Sequence, residues 1–166
     1  MWAWQFAKAL GIARQRRLTP FVSMQNHYNL LYREEEREMM PLCTNEGIAA
    51  IPWSPLARGY LTRPWREETA RTRTDPYGTK LYASDGEADR QVIERVATLA
   101  ASRGVPRAQI AVAWITQKPL VTAPIIGASK PQHLTDAVAA LALKLEASEI
   151  EQLEAPYVPH QVAGHV

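Results

Sequence analysis

The chain has 166 residues, of which 46% are hydrophobic, 22% charged and 8% aromatic. That length suits one ordinary domain, and the apolar fraction can fill a core, which argues against a wholly disordered chain. Nineteen basic against seventeen acidic residues leave a formal charge of +2, too small to argue for nucleic acid yet no obstacle to an anionic cofactor.

The first predicted element is an amphipathic helix with Trp2, Phe6, Ala9 and Leu10 on one face, Arg14, Arg16 and Arg17 at its C-terminal end and Pro20 as its stop. Phe21–Gln25 reads as a short strand. A polar turn through Asn26, His27, Tyr28 and Asn29 leads to a helix predicted from Glu34 through Met40, with Gly47 as its C-terminal stop. Ile48–Pro52 is an apolar run with the pattern of a strand buried on both faces. From Ser54 to about Gly86 the chain is rich in Arg, Thr, Pro and Gly, too long for an ordinary connection and therefore expected to be a functional loop. Helices are predicted near Asp89 to Arg103 and from Pro106 to Gln117. A third strand follows at Val121–Ile126, then helices from Ser129 to about Leu141 and over Ser148–Leu153. The tail from Pro156 has no period.

Strands alternating with helices predict an α/β fold. About three parallel strands are too few for a closed barrel, so the chain reads as the back part of a larger arrangement. Cys43 is the single cysteine, which excludes an internal disulfide framework and points to a reducing compartment. No apolar run reaches the roughly 20 residues needed to span a bilayer, and Met1–Leu10 does not have the pattern of a signal peptide. A cytoplasmic protein without nucleic-acid or membrane partners is expected.

Two segments stand where α/β proteins bind ligands, directly after predicted strands. Trp53-Ser54-Pro55-Leu56-Ala57-Arg58-Gly59 can stack a ring and cradle a phosphate, although on spacing alone it reads as a Pro-rich turn with a buried Trp. Ser129-Lys130-Pro131-Gln132 matches a Ser-x-x-Gln capping box, and a helix start beside Lys130 also suits an anion. Arg58, Arg63, Arg66, Arg71 and Arg73 in the long loop are solvated charge unless one turns inward. The four histidines have no metal-like spacing, and neither a Gly-x-Gly-x-x-Gly fingerprint nor a Walker loop is present.

Three blocks taken together resemble the C-terminal half of an aldo-keto reductase: Ser23–Leu30, Glu46–Gly59 and Ala123–Leu134. Within that family the closest likeness is to the bacterial branch that also resembles potassium-channel β subunits. The resemblance implies the C-terminal part of a (β/α)8 TIM barrel, residues 1–166 forming one partial domain whose N-terminal half is absent. It also implies NADP(H) bound at the C-terminal ends of the strands. Gln25 would then meet the nicotinamide carboxamide and Trp53 its ring. Ser54, Pro55, Leu56 and Arg58 would line the pyrophosphate, with Arg63 or Arg71 of the 54–86 loop closing over it. Gly127, Ser129 and Lys130 would meet the 2′-phosphate, with His133 and Asp136 nearer the adenine. The family often has Gln or Arg where His133 stands and commonly Asn where Ala137 stands.

The family's catalytic Asp, Tyr, Lys and His all belong to the first half of the barrel, so no catalytic residue is expected here; neither His27 nor Tyr28 matches them. The expected function is NADPH-dependent reduction of aldehydes or ketones, this chain supplying the cofactor-binding half and a small carbonyl compound being the substrate of the intact enzyme. The alternatives are a non-catalytic nucleotide-binding or regulatory module, and an inactive truncated remnant. An open barrel edge further predicts self-association. The 156–166 tail either covers the pocket rim or is disordered.

Overall fold

The protein is described here by a computed structural model covering residues 1–65, 67, 74–82 and 86–163. Helix α1 spans Ala3–Gln15 and buries Phe6, Leu10 and Ala13, the apolar stripe that helical spacing places on one face. Trp2, expected on the same stripe, precedes the first turn in an extended conformation and is exposed. The stripe packs on Met39, Cys43 and Ile48. Cys43 is buried and its thiol is pushed up by that burial, so it fills core space.

The strand expected over Phe21–Gln25 shortens to β1, Ser23–Met24, leaving Phe21 and Val22 exposed. The helix expected from Glu34 also differs. Glu34–Glu36 is a single 3-10 turn, and α2 begins only at Met39, running to Glu46. The glutamates are taken up in tertiary bonds instead: Glu34 Oε1 accepts the Tyr157 hydroxyl at 2.6 Å and the His160 N–H at 2.8 Å. Gly47 stops α2 as expected, at φ 66°, where a residue without Cβ carries no steric cost.

Strand β2 is Ala49–Ala50. Ile48, Ala50 and Pro52 are buried while Ala49 and Ile51 are half-buried, so burial alternates instead of covering both faces as expected. β1 and β2 pair in parallel (Ser23 with Ala49, Met24 with Ala50), and the register continues to His27 opposite Trp53. The third expected strand reduces to two isolated parallel bridges, Val121 with Ala50 and Ile125 with Trp53. Pro124 lies between them and has no N–H for a continuous ladder. Three parallel segments therefore lie side by side in chain order, with the middle one flanked on both edges.

The described residues of the 54–86 segment include regular structure where a loop was expected. They hold a 3-10 segment at Ala57–Thr62 and helix α3 at Pro76–Tyr82. Asp75 starts that helix by accepting the Gly78 N–H at 2.9 Å, a capping geometry hidden in a Pro- and Gly-containing stretch. The remaining helices are α4 (Gly86–Arg103), α5 (Arg107–Thr116), α6 (Pro131–Ala140) and α7 (Ala147–Glu154). All six residues of Ile110–Ile115 in α5 are buried, as their uninterrupted apolar run requires. All of them but Val112 form the main core with Val92, Ile93 and Val96 of α4 and with Tyr28, Leu30 and Leu61. The tail from Pro156 to Ala163 is packed: Tyr157 holds Glu34, and the Ala163 N–H reaches Tyr32 Oη at 3.0 Å. None of these tail residues lines the cleft described below.

Candidate functional site

The segments that leave the second and third parallel runs wall a cleft of about 730 Å³. One wall is Ser54, Pro55, Leu56, Arg58, Gly59 and Thr62; the other is Ile125–Ser129 with His133, Asp136 and Ala137 of α6; Pro106, Arg107 and Ala108 at the start of α5 lie between. The cleft thus sits at the carboxyl ends of parallel strands, where α/β proteins place ligands.

The first wall is a strained turn. Ser54 (φ 54°), Ala57 (φ 47°) and Arg58 (φ 54°) all occupy the left-handed region, followed by Gly59 at φ 95°. Three non-glycine residues in that region cost of order 1 kcal/mol each and persist only where surrounding structure holds them. The holder is Asn29, which is fully buried. Its Nδ2 donates to the Ser54 carbonyl at 2.9 Å and to Tyr82 Oη at 3.0 Å, and its Oδ1 accepts the Leu31 N–H at 2.9 Å. Because Asn29 donates to the Tyr82 oxygen, the Tyr82 proton is available to His27 Nε2, 2.7 Å away. His27 is therefore neutral with its proton on Nδ1. Burial, then the charges of Arg58 and His160, lower its pKa to about 3. Its ring is stacked between Trp53 (4.1 Å between centroids, 10° between planes) and Tyr32 (4.3 Å, 14°).

The structure distributes the expected site residues unevenly. Ser54, Pro55, Leu56, Arg58, Gly127, Ser129, His133 and Asp136 come together in the cleft. Gln25 lies exposed beyond β1, and Trp53 is half-buried with one face covered by His27; neither lines the cleft. Arg58 is ion-paired with Asp75 at 2.5 Å, which strengthens its hold on its proton, and stacks over Tyr77. Arg63 folds back over the Tyr60 ring, 4.8 Å from its centroid, instead of reaching the cleft. Arg66, Arg71 and Arg73 lie outside the described residues. Lys130 is exposed beside the cleft and immediately precedes α6. The capping box expected at Ser129–Gln132 does not form. Helix α6 starts one residue later with Pro131 at its first position; Ser129 instead donates its N–H to His133 Nδ1 at 3.4 Å, while Gln132 Nε2 donates to Asp136 Oδ1 at 3.0 Å.

Reading the sequence missed Asn29, His27 and Tyr82, which support the turn, and Arg107, which lines the cleft. An Asn just past a strand end was the available signal for the first; Arg107 carried none. Among the described residues no group of His, Cys, Asp or Glu is placed to hold a metal ion, and no helix is long and apolar enough to cross a membrane.

Residues 3–157 match the aldo/keto reductase family. The chain belongs to that family. It is 45% identical over 99% of its length to an aldo-keto reductase of Metarhizium robertsii, covering 44% of that protein. It is 43% identical over 98% of its length to versiconal hemiacetal acetate reductase of Aspergillus parasiticus, covering 48% of it, and 44% identical over its whole length to a putative aryl-alcohol dehydrogenase of Schizosaccharomyces pombe, covering 47%. The chain thus spans about half the length of the curated relatives it matches. Its α/β architecture agrees with the family.

Proposed function

We propose that this chain is the cofactor-binding half of an NADP(H)-dependent reductase of aldehydes and ketones, arranged as the C-terminal part of a (β/α)8 barrel. The narrower likeness to the branch resembling potassium-channel β subunits belongs to the same proposal and rests on the Ser23–Leu30 and Glu46–Gly59 blocks. The observation that carries the reading is the cleft, where the Ser54–Arg58 turn and the Gly127–Asp136 segment face one space at the strand ends. Two relatives have names from opposite directions of one chemistry, a reductase and an alcohol dehydrogenase.

The chain's own residues fit the cofactor best at its adenosine end. Gly127 and Ser129 are exposed there, with Lys130 beside them. At the middle, the left-handed turn from Ser54 offers main chain and the Ser54 hydroxyl to a diphosphate. At the nicotinamide end, His27 backs one face of Trp53, and the indole presents its other face to a planar ring. Bound nicotinamide supplies a hydride; the proton donor and the residues that polarise the carbonyl belong to the other half of the barrel. Gln25 would fix the carboxamide.

Exposed apolar groups at both ends of the strand array support barrel closure. At one end are Leu18, Phe21 and Val22; at the other are Ile125 and the α6 stripe Leu134, Val138 and Leu141. A second half bearing the complementary strands would cover both, and the isolated chain is expected to self-associate through them. The test is titration of the purified chain with NADPH, followed by nicotinamide fluorescence, with Trp53→Ala as control. Saturable binding, weakened in Trp53→Ala, is expected. A folded chain that binds no NADPH refutes the reading and leaves a remnant without a cofactor site.

A further inference from the structure

The cleft contains a cation that makes no ion pair among the described residues. Arg107, the first residue of α5, lines it, half-buried between Pro106 and Ala108. Its position along the cleft is set two residues on, where Gln109 Nε2 donates to Asp136 Oδ1 at 3.2 Å. The start of α5 therefore lies against α6, at the Ser129–Asp136 end.

Other arginines of this fold sit on acids: Arg33 on Glu36 and Glu154, Arg58 on Asp75, Arg103 on Glu149. The Arg107 guanidinium makes no ion pair or hydrogen bond among the described residues. The acid that lines the cleft with it, Asp136, has its Oδ1 occupied by two neutral amides, Gln109 and Gln132. A guanidinium presents five donors in a planar fork that matches a phosphate in a bidentate pair. Lining the cleft without an ion pair to Asp136 or to any other described residue, it suits a doubly charged phosphomonoester.

We infer that Arg107 is a specificity-determining residue of the cofactor site, clamping a phosphate on the adenosine ribose and so selecting a 2′-phosphorylated nucleotide over its unphosphorylated counterpart. This rests on the cofactor reading above and adds to it a residue and a discrimination. A lysine at this position would keep the charge but lose the fork.

The chain and its Arg107→Gln and Arg107→Lys variants are titrated by calorimetry with NADPH, NADH, 2′,5′-ADP and 5′-ADP. Arg107→Gln is expected to weaken the two 2′-phosphorylated ligands about tenfold or more while leaving the other two within about twofold. Arg107→Lys should fall between Arg107→Gln and the unmodified chain for the 2′-phosphorylated pair. An unchanged affinity for NADPH in both variants, or equal losses for all four ligands, overturns the role of Arg107 and leaves the cofactor site standing. Failure of the unmodified, folded chain to bind any of the four overturns both. If Arg107→Gln does not fold, Arg107→Lys decides alone: no selective loss toward NADPH refutes the assignment.

Discussion

Replacing Asn29 by alanine tests whether one buried amide holds the strained Ser54–Gly59 turn. Three hydrogen bonds disappear, to the Ser54 carbonyl, the Tyr82 hydroxyl and the Leu31 N–H. Their costs differ. Tyr82 keeps His27 as a partner, and half-buried Ser54 leaves its carbonyl within reach of water. The Leu31 N–H belongs to a residue only 1% exposed and has nothing to replace the lost oxygen. Counting about 1 kcal/mol for each bond that can be substituted and about 2 kcal/mol for the orphaned donor gives roughly 4 kcal/mol. That corresponds to a fall of roughly 10 °C in melting temperature for a chain of this size. Urea unfolding followed by circular dichroism measures the loss. Asn29→Asp sharpens the test: it keeps the acceptor for Leu31 but points oxygen at the Ser54 and Tyr82 oxygens, so it should destabilise at least as much as alanine. NADPH affinity should fall in both variants. A loss below about 1 kcal/mol in both, less than a single orphaned donor costs, refutes the assignment of Asn29 as the holder of the turn.

His27 predicts a pH dependence. Its folded pKa of about 3 lies below the unfolded value near 6.5, so the unfolded chain binds the proton first; stability is full above pH 6.5 and falls as pH drops toward 3, by at most about 1.4 kcal/mol per unit. His27→Phe keeps the stack without the titrating ring, and urea midpoints between pH 4.5 and 7 should show a shallower slope in that variant; identical slopes would exclude His27 as the source. Glu154 gathers the Trp114 indole N–H at 2.8 Å, Lys118, and Arg33 at 2.9 Å. Burial pushes its carboxyl up, but the hydrogen bonds from Lys118 and Trp114 and the Lys118 and Arg33 charges outweigh it. Glu154→Leu should therefore cost about 2–3 kcal/mol in the same urea assay, because it strands a buried indole N–H and the Lys118 ammonium while Arg33 keeps Glu36; a neutral effect would show these contacts to be idle. Sedimentation velocity should show concentration-dependent association of the chain, reduced when Leu134, Val138 and Leu141 become glutamate; an unmodified chain that stays monomeric at high concentration contradicts association through the open ends.

Helix α1 was legible because Phe6 and Leu10 recur at helical spacing, and α2 ended where Gly47 stood ready for a left-handed residue. Local chemistry was enough in both cases. Glu34–Met40 misled for the opposite reason: its acidic run suits a helix start, yet Glu34 is claimed by Tyr157 and His160, more than 120 residues away in the chain. Helix α3 was hidden by a Pro- and Gly-containing composition and is anchored by Asp75, whose pairing with Arg58 is a tertiary contact.

The family, the alternation of strands and helices, and the two post-strand segments that wall the cleft were all readable from residue pattern. These are local patterns of residue type and spacing, complete within each stretch of chain. Which residues share the cleft is a matter of three-dimensional packing. That packing placed Arg107 there without an ion pair among the described residues, turned Arg63 back onto Tyr60, gave Arg58 to Asp75, and made Asn29 the link between Ser54 and Tyr82. Each of these depends on which charges and hydrogen-bonding groups meet across tens of residues, and charge pairing and burial are properties of that meeting, which no single segment encodes.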